Sequence, residues 1–204
     1  MYKNKTIIQI GSHVGNTIND PIFKDIDNTT KLILVEPVPF LFNILKNNYI
    51  KKLKDIQNVV FINKAVSNFI GTIELTVPSL KNDFRKLPFW ASQLSSVNST
   101  HATDHIKGLI TEKIQVPTTT INNIIKENKI TEIELLHTDT EGHDYEILMN
   151  YDFNIKPKKI MFEHKHMDGF LKVGNRYIIL IKRLESLGYI VVSRDTEDTV
   201  MVLK

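Results

Sequence analysis

Ile133 to Met149 reads IELLHTDTEGHDYEILM. Ile133, Leu135 and Leu136 lie in a short apolar run of the kind that makes a buried strand, and the run stops at Thr138, Asp139 and Glu141. Gly142 lets the backbone turn, after which Tyr145, Leu148 and Met149 recur at helical spacing. A buried strand thus delivers acids to a rim, and in open α/β sheets the rim outside the carboxyl ends of the strands is where ligands bind. Either carboxylate taken alone is as readily a helix cap.

Working outward, the other apolar runs give the same grammar. Lys5–Ile10 (KTIIQI) is a strand followed by the turn GSHVGN, whose Gly11 and Gly15 permit close approach to a ligand; the helix expected next is short, because Pro21 disfavours helical geometry at Asp20. Lys31–Val35 is a second strand ending at Glu36, at the spacing from the glycine turn where nucleoside folds grip ribose hydroxyls. Pro39–Tyr49 is a helix with Phe40, Leu41, Ile44 and Leu45 expected in its buried stripe. Asn58–Ile62, and Gly71–Val77 with one wet face, are further strands, so the chain alternates as a doubly wound sheet does.

Residues 78–113 break the pattern. This stretch is polar and weakly periodic but holds Phe84, Leu87, Phe89 and Trp90, and is expected to be a lid or substrate segment. Ile114–Val116 reads as a short strand and Thr118–Asn128 as a helix; Lys158–Glu163 is a strand ending at Glu163, His164 and His166. A helix over 174–187 stops at Gly188, and Tyr189–Ser193 with Thr199–Leu203 form a terminal antiparallel hairpin.

The 204 residues are read as one domain, 1–204. The absence of cysteine excludes a disulfide framework, Cys-ligated zinc and thiol catalysis. A net charge of +3 and a pI near 8.9 permit nucleic-acid binding without indicating it. No stretch is long and apolar enough to span a membrane and MYKNKT is not a signal peptide, so a cytoplasmic protein is expected.

The runs IIQIGSHVGN, LVEPVP, NKAVSNFIGTIEL, SQLSSVN, VPTTTINNII, LLHTDTEGHDYEIL and IMFEH, in that order, resemble the FkbM-type methyltransferases, which are class I, Rossmann-like and use S-adenosylmethionine. The resemblance implies a mostly parallel seven-stranded α/β sheet with an antiparallel last strand. It places Gly11, Ser12, His13 and Gly15 around the amino-acid half of the cofactor, Glu36 on the ribose, and Ala65 and Val66 near the adenine. Two positions depart from the family pattern: His137 stands where lysine is usual, and Gln9 where an acid is.

Methyl transfer to an alcohol benefits from a general base, and the strand-end acids and histidines are the candidates. Asp139, Glu163 and His164 are read as catalytic, with Asp139 also beside the cofactor; Ser95, Ser96, Glu141 and His166 are read as substrate contacts. A metal held by Asp139, Glu163 and a histidine is chemically allowed, but no paired spacing such as HxxxH demands it, and none is assigned. The expected acceptor is a hydroxyl of a small molecule or glycan. An RNA or protein methyltransferase, and a non-catalytic adenosyl-binding or interaction module, are the alternatives.

Overall fold

A computed structural model describes residues 2–204. Continuous apolar runs become the central strands: β1 (Thr6–Ile10), β2 (Lys31–Val35), β3 (Val59–Ile62), β7 (Leu135–Thr138) and β8 (Lys159–Glu163) are mutually parallel where they pair. Strands covered on both faces need apolar residues at successive positions, which is why these segments lack alternation. With β9 (Tyr189–Arg194) and β10 (Asp198–Leu203) the sheet order is β3-β2-β1-β7-β8-β10-β9. Only β10 runs opposite to the rest of the sheet, seated between β8 and β9, so the expected mostly parallel seven-stranded sheet with an antiparallel last strand is found.

Helices cover both faces. Helix α1 (Pro39–Lys52) buries Leu41, Leu45 and Tyr49, of which Leu45 and Tyr49 pack with Ile7, Leu32 and Leu34 on one face. On the other, α3 (Ile121–Glu127), α4 (Asp144–Asn150) and α5 (Asn175–Ser186) supply Ile124, Ile147, Leu148, Leu180 and Leu184 against Ile8, Ile33, Leu136 and Phe162. Alternate residues of β1 and β2 thus feed the two cores. Phe40 is a correction: it is exposed, and the aromatic packing of α1 comes from Phe42 and Tyr49 against Phe61.

Three expectations about the middle of the chain change. No helix follows the glycine turn; residues 11–30 run as turns and irregular backbone, with Asp20 accepting the amides of Ile22 and Phe23 just beyond Pro21. Residues 71–77 do not join the main sheet. β5 (Thr72–Pro78) pairs antiparallel with β6 (Thr111–Thr119), which carries β4 (Ala65–Val66) on its other edge, a separate three-stranded sheet. The threonine-rich stretch is therefore the end of a nine-residue strand, and α3 begins only after Thr120, whose side chain caps it through the Asn123 amide. The 78–113 stretch lies between the two long strands β5 and β6. It includes a short helix α2 (His101–His105) and a cluster of its own, Leu94, Ala102 and Leu109 with Trp90 and Leu87 against them. No helix among the described residues is long and apolar enough to cross a membrane.

The rim is held by one close approach. Gly11, at φ 80°, ends β1 where a Cβ would fall 1.7 Å from the carbonyl oxygen of Asp139 at the end of β7. Gly11→Ala is expected to lower stability by about 3 kcal/mol, since it adds left-handed strain to a backbone collision. Urea unfolding checks this; a loss within the range of an ordinary surface alanine would refute the contact.

Candidate active site

β1, β2 and β7 end at one rim, and the chain beyond each builds a cleft of about 190 Å³. After β1 the chain folds back over β2, with the Gly11 and Ser12 amides both donating to the Val35 carbonyl at 3.0 Å. Gly15, at φ 72°, does not line the cleft: a Cβ there would lie 2.5 Å from Leu45 and Tyr49, so its smallness seats the turn on α1. After β2 comes Glu36, buried at the cleft wall. Its Oε2 accepts the His13 amide at 2.9 Å and its Oε1 the Val38 amide at 2.8 Å. Burial outweighs these two donors and lifts its pKa to about 7.

The smaller sheet supplies an apolar wall of Ala65, Val66 and Leu75, and the 78–113 stretch contributes Ser95 and Ser96 opposite. The floor holds Gln9 and His137, side by side in the β1–β7 register. Gln9 Nε2 donates to Asp20 Oδ2 at 3.0 Å, and Asp20 also lines the cleft, so a carboxylate stands beside position 9. Gln9 Oε1, His13 Nδ1 and Ser95 Oγ are buried there without a protein partner. Buried polar atoms of this kind call for a ligand or water.

Asp139 lines the same cleft and is exposed to solvent there. Burial, then the charges of Glu141, Asp144, Asp198 and Glu197, push its pKa well above the usual carboxylate range. Asp198 is pushed to about 7 by burial and by Asp195, and Asp144, which accepts the Thr140 amide and hydroxyl, to about 6 by burial. In all, Asp20, Glu36, Asp139, Glu141, Glu197 and Asp198 line the cleft against one cation, Lys64.

A second cavity of about 200 Å³ adjoins the first, and Glu141 lines both. Glu141, at φ 53°, places Oε2 2.7 Å from His101 Nε2 and 3.9 Å from His166 Nε2, while its carbonyl accepts the Ser96 hydroxyl at 2.8 Å. His143 also borders both cavities and is bonded to Ser67 Oγ at 3.0 Å. His166 lines the second cavity; burial, with His101 and His105 beside it, lowers its pKa to about 3.

The structure separates the three residues at the end of β8. Glu163 is buried and lines neither cavity, though its Oε1 lies 3.7 Å from His166 Nε2 and its Oε2 has no partner. Burial, then Asp139, raises its pKa far above the ordinary value. His164 is turned away altogether, bonded to Thr199 Oγ1 at 3.0 Å and beside Tyr177. Consecutive residues at a strand end point to opposite faces, so Glu163 and His164 could not both reach the rim.

The sequence reading passed over His101 and His105. They stand four apart in HATDH, the paired HxxxH spacing said above to be missing, and α2 brings both to Glu141 and His166. It also passed over Glu197 and Asp198, hairpin acids whose place on the cleft depends on where β10 pairs.

The profile of the family described as "Methyltransferase FkbM domain" matches residues 9–191. No curated protein matches the chain. Among solved structures, the methyltransferase FkbM of Methylobacillus flagellatus is 12% identical with a TM-score of 0.51, over 99% of this chain and 44% of that one. The fibrillarin pre-rRNA processing protein of Methanococcus jannaschii is 13% identical with a TM-score of 0.48, over 99% of this chain and 68% of that one. At 12% identity the likeness to the Methylobacillus protein speaks for the fold alone.

Buried carboxyls and buried imidazoles pull the pH dependence of stability in opposite directions. Glu36 and Asp198, raised to about 7 from 4.5 and 3.8, hold protons in the folded protein that the unfolded chain gives up, so their contribution is full below those ordinary values and is lost steadily as the pH rises from there to about 7. His13 and His137, lowered by burial to about 4 from 6.5, resist the protons that the unfolded chain accepts, so stability also falls as the pH drops below 6.5. Melting curves from pH 5 to 8.5 check both effects: where they oppose each other, between about 4.5 and 6.5, Glu36→Gln should make stability rise more steeply with pH and His137→Gln should make it fall; unchanged slopes in both variants would contradict the assignment.

Proposed function

Because the chain belongs to the FkbM methyltransferase family, whose methyl donor is S-adenosylmethionine, we propose that it methylates a hydroxyl oxygen of a small molecule or sugar. The carrying observation is the charge of the cleft, six carboxylates against Lys64. A sulfonium and an ammonium are welcome in such a site, an uncharged hydroxyl is tolerated, and a phosphate-rich acceptor is repelled. This favours a small or sugar acceptor over RNA.

The residues divide the work. Glu36 keeps the lone pairs not used by the His13 and Val38 amides for two ribose hydroxyls, and in its ionised form those bonds are charge-assisted. Ala65, Val66 and Leu75 provide an apolar slot of the kind an adenine fills. Gln9 Oε1, free and buried, with Asp20 behind it, accepts the ammonium of the amino-acid half. This bond would do the work of the acid that Gln9 replaces. When bound, S-adenosylmethionine supplies an electrophilic methyl: the acceptor oxygen bonds to it as the sulfur–carbon bond breaks, and S-adenosylhomocysteine departs. Asp139, lining the cleft and of raised basicity, takes the hydroxyl proton, while Ser95, Ser96, Glu141 and His143 line the path towards the second cavity and orient the acceptor.

Two variants separate these roles. Glu36→Ala should weaken S-adenosylmethionine binding by about 2 kcal/mol, read by calorimetry. Asp139→Asn should keep that affinity while lowering turnover by about 100-fold or more. Acceptors are found by incubation with radiolabelled cofactor and pools of sugars, metabolites and RNA; label entering RNA alone, with salt-sensitive binding, would overturn the hydroxyl-metabolite reading.

A further inference from the structure

We infer that His101, His105, Glu141 and His166 form a binding site for a divalent cation of the zinc class, independent of the methyl-transfer reading. The four residues come from three separate parts of the chain: α2, the turn between β7 and α4, and the loop after β8. One ligating atom from each lies within 4.8 Å of every other. The imidazole ring centroids are 4.8 Å apart for His101 and His105, 4.6 Å for His101 and His166, and 5.0 Å for His105 and His166. Three imidazoles around a tetrahedral ion, with metal–nitrogen bonds of about 2 Å, put their centroids about 5 Å apart. The rings therefore stand near the spacing that an ion would impose.

A second observation points the same way. His105 Nε2 is buried with no hydrogen-bond partner, although the side chain sits in a cluster of polar groups. Unsatisfied buried nitrogens are rare, and a metal bond satisfies one outright. Three neutral imidazoles and a carboxylate suit zinc, cobalt, nickel or copper and not the oxygen-seeking magnesium or calcium. The positive ion would also offset part of the charge of Glu141, whose Oε2 lies 2.7 Å from His101 Nε2.

Four protein ligands complete a tetrahedral shell, which is the closed arrangement of structural sites. Helix α2 spans only His101–His105, too short to hold itself in place. An ion would fasten it, and with it the 78–113 stretch carrying Ser95 and Ser96, to the rim at Glu141. Two contacts must give: the 2.7 Å hydrogen bond between His101 Nε2 and Glu141 Oε2 is exchanged for coordination with loss of its proton, and His166 Nδ1 accepts the Leu171 amide at 3.1 Å, so coordination through Nε2, which moves the ring proton to Nδ1, requires that amide to turn away. Leu171 is exposed and at φ 49°, in a turn that can yield without disturbing the core.

The test uses the full chain stripped with a chelator and then given ZnCl2, MgCl2 or CoCl2. Zinc should bind one per chain and raise the melting temperature by about 5 °C or more at saturation, magnesium should do neither, and cobalt should give the intense visible bands of a four-coordinate site. His105→Ala should abolish the zinc shift while melting cooperatively on its own. No stoichiometric zinc, or a pale six-coordinate cobalt spectrum in the parent protein, would overturn the proposal even if the variants fail to fold. S-adenosylmethionine binding is measured in parallel, so that loss of one property is distinguished from loss of the other.

Discussion

The contact between Gly11 and the carbonyl of Asp139 is the constraint from which the site follows. Two parallel strands end together only if the chain leaving each can turn without collision, and at 1.7 Å from that oxygen no Cβ fits. With Gly11 there, the β1 turn bends over β2, presents the His13 amide to Glu36, and leaves Asp139 facing the same space from the other side. Gly15 works one layer down, letting that turn rest on Leu45 and Tyr49. Both glycines are thus required by packing, and only Gly11 borders the cleft.

A cleft crowded with carboxylates costs the folded protein, because each must lose water or hold a proton. Glu36 illustrates the balance: two amides stabilise its charge, burial opposes it more strongly, and the pKa settles near 7. Such a site is poised for a cationic ligand, whose arrival favours the ionised forms and stabilises the complex by linkage. Stability of the empty protein is given up where binding recovers it, as is common at functional sites.

Much of this was legible in the sequence where the physics is local. Uninterrupted apolar runs such as KLILV and IIQI allow little besides buried strands, and an acid directly after one must lie at the rim, which located Glu36 and Asp139. What stayed hidden depends on pairing between distant segments. The alternation in GTIELTV is right for a half-exposed strand, yet nothing in it tells which sheet it joins. Asp20 compensates for Gln9 only through a hydrogen bond across the irregular turn after β1. Nearness in sequence to Glu163 does not put His164 near it in space, because strand geometry sends neighbours to opposite sides, and His164 bonds Thr199 instead. The spacing of His101 and His105 was visible, but it lay in a polar stretch without strong periodicity, away from the strand ends where chemistry was sought.

The β9–β10 hairpin has a bearing on the cleft that its position at the far edge of the sheet conceals. β9 is attached to the sheet only through β10, and the pairing jumps between Val200 and Met201, leaving Val192 as an extra residue on β9. Slipping β10 by one residue against β8 would turn Thr199 and Met201, both fully buried, to the opposite face. It would also withdraw Asp198 from the cleft wall. The register of β10 against β8 thus sets an electrostatic potential as well as a shape: its alignment to the nearest residue decides how many acidic groups face the ligand, and a homologue with a shifted hairpin would carry a differently charged cleft on the same scaffold.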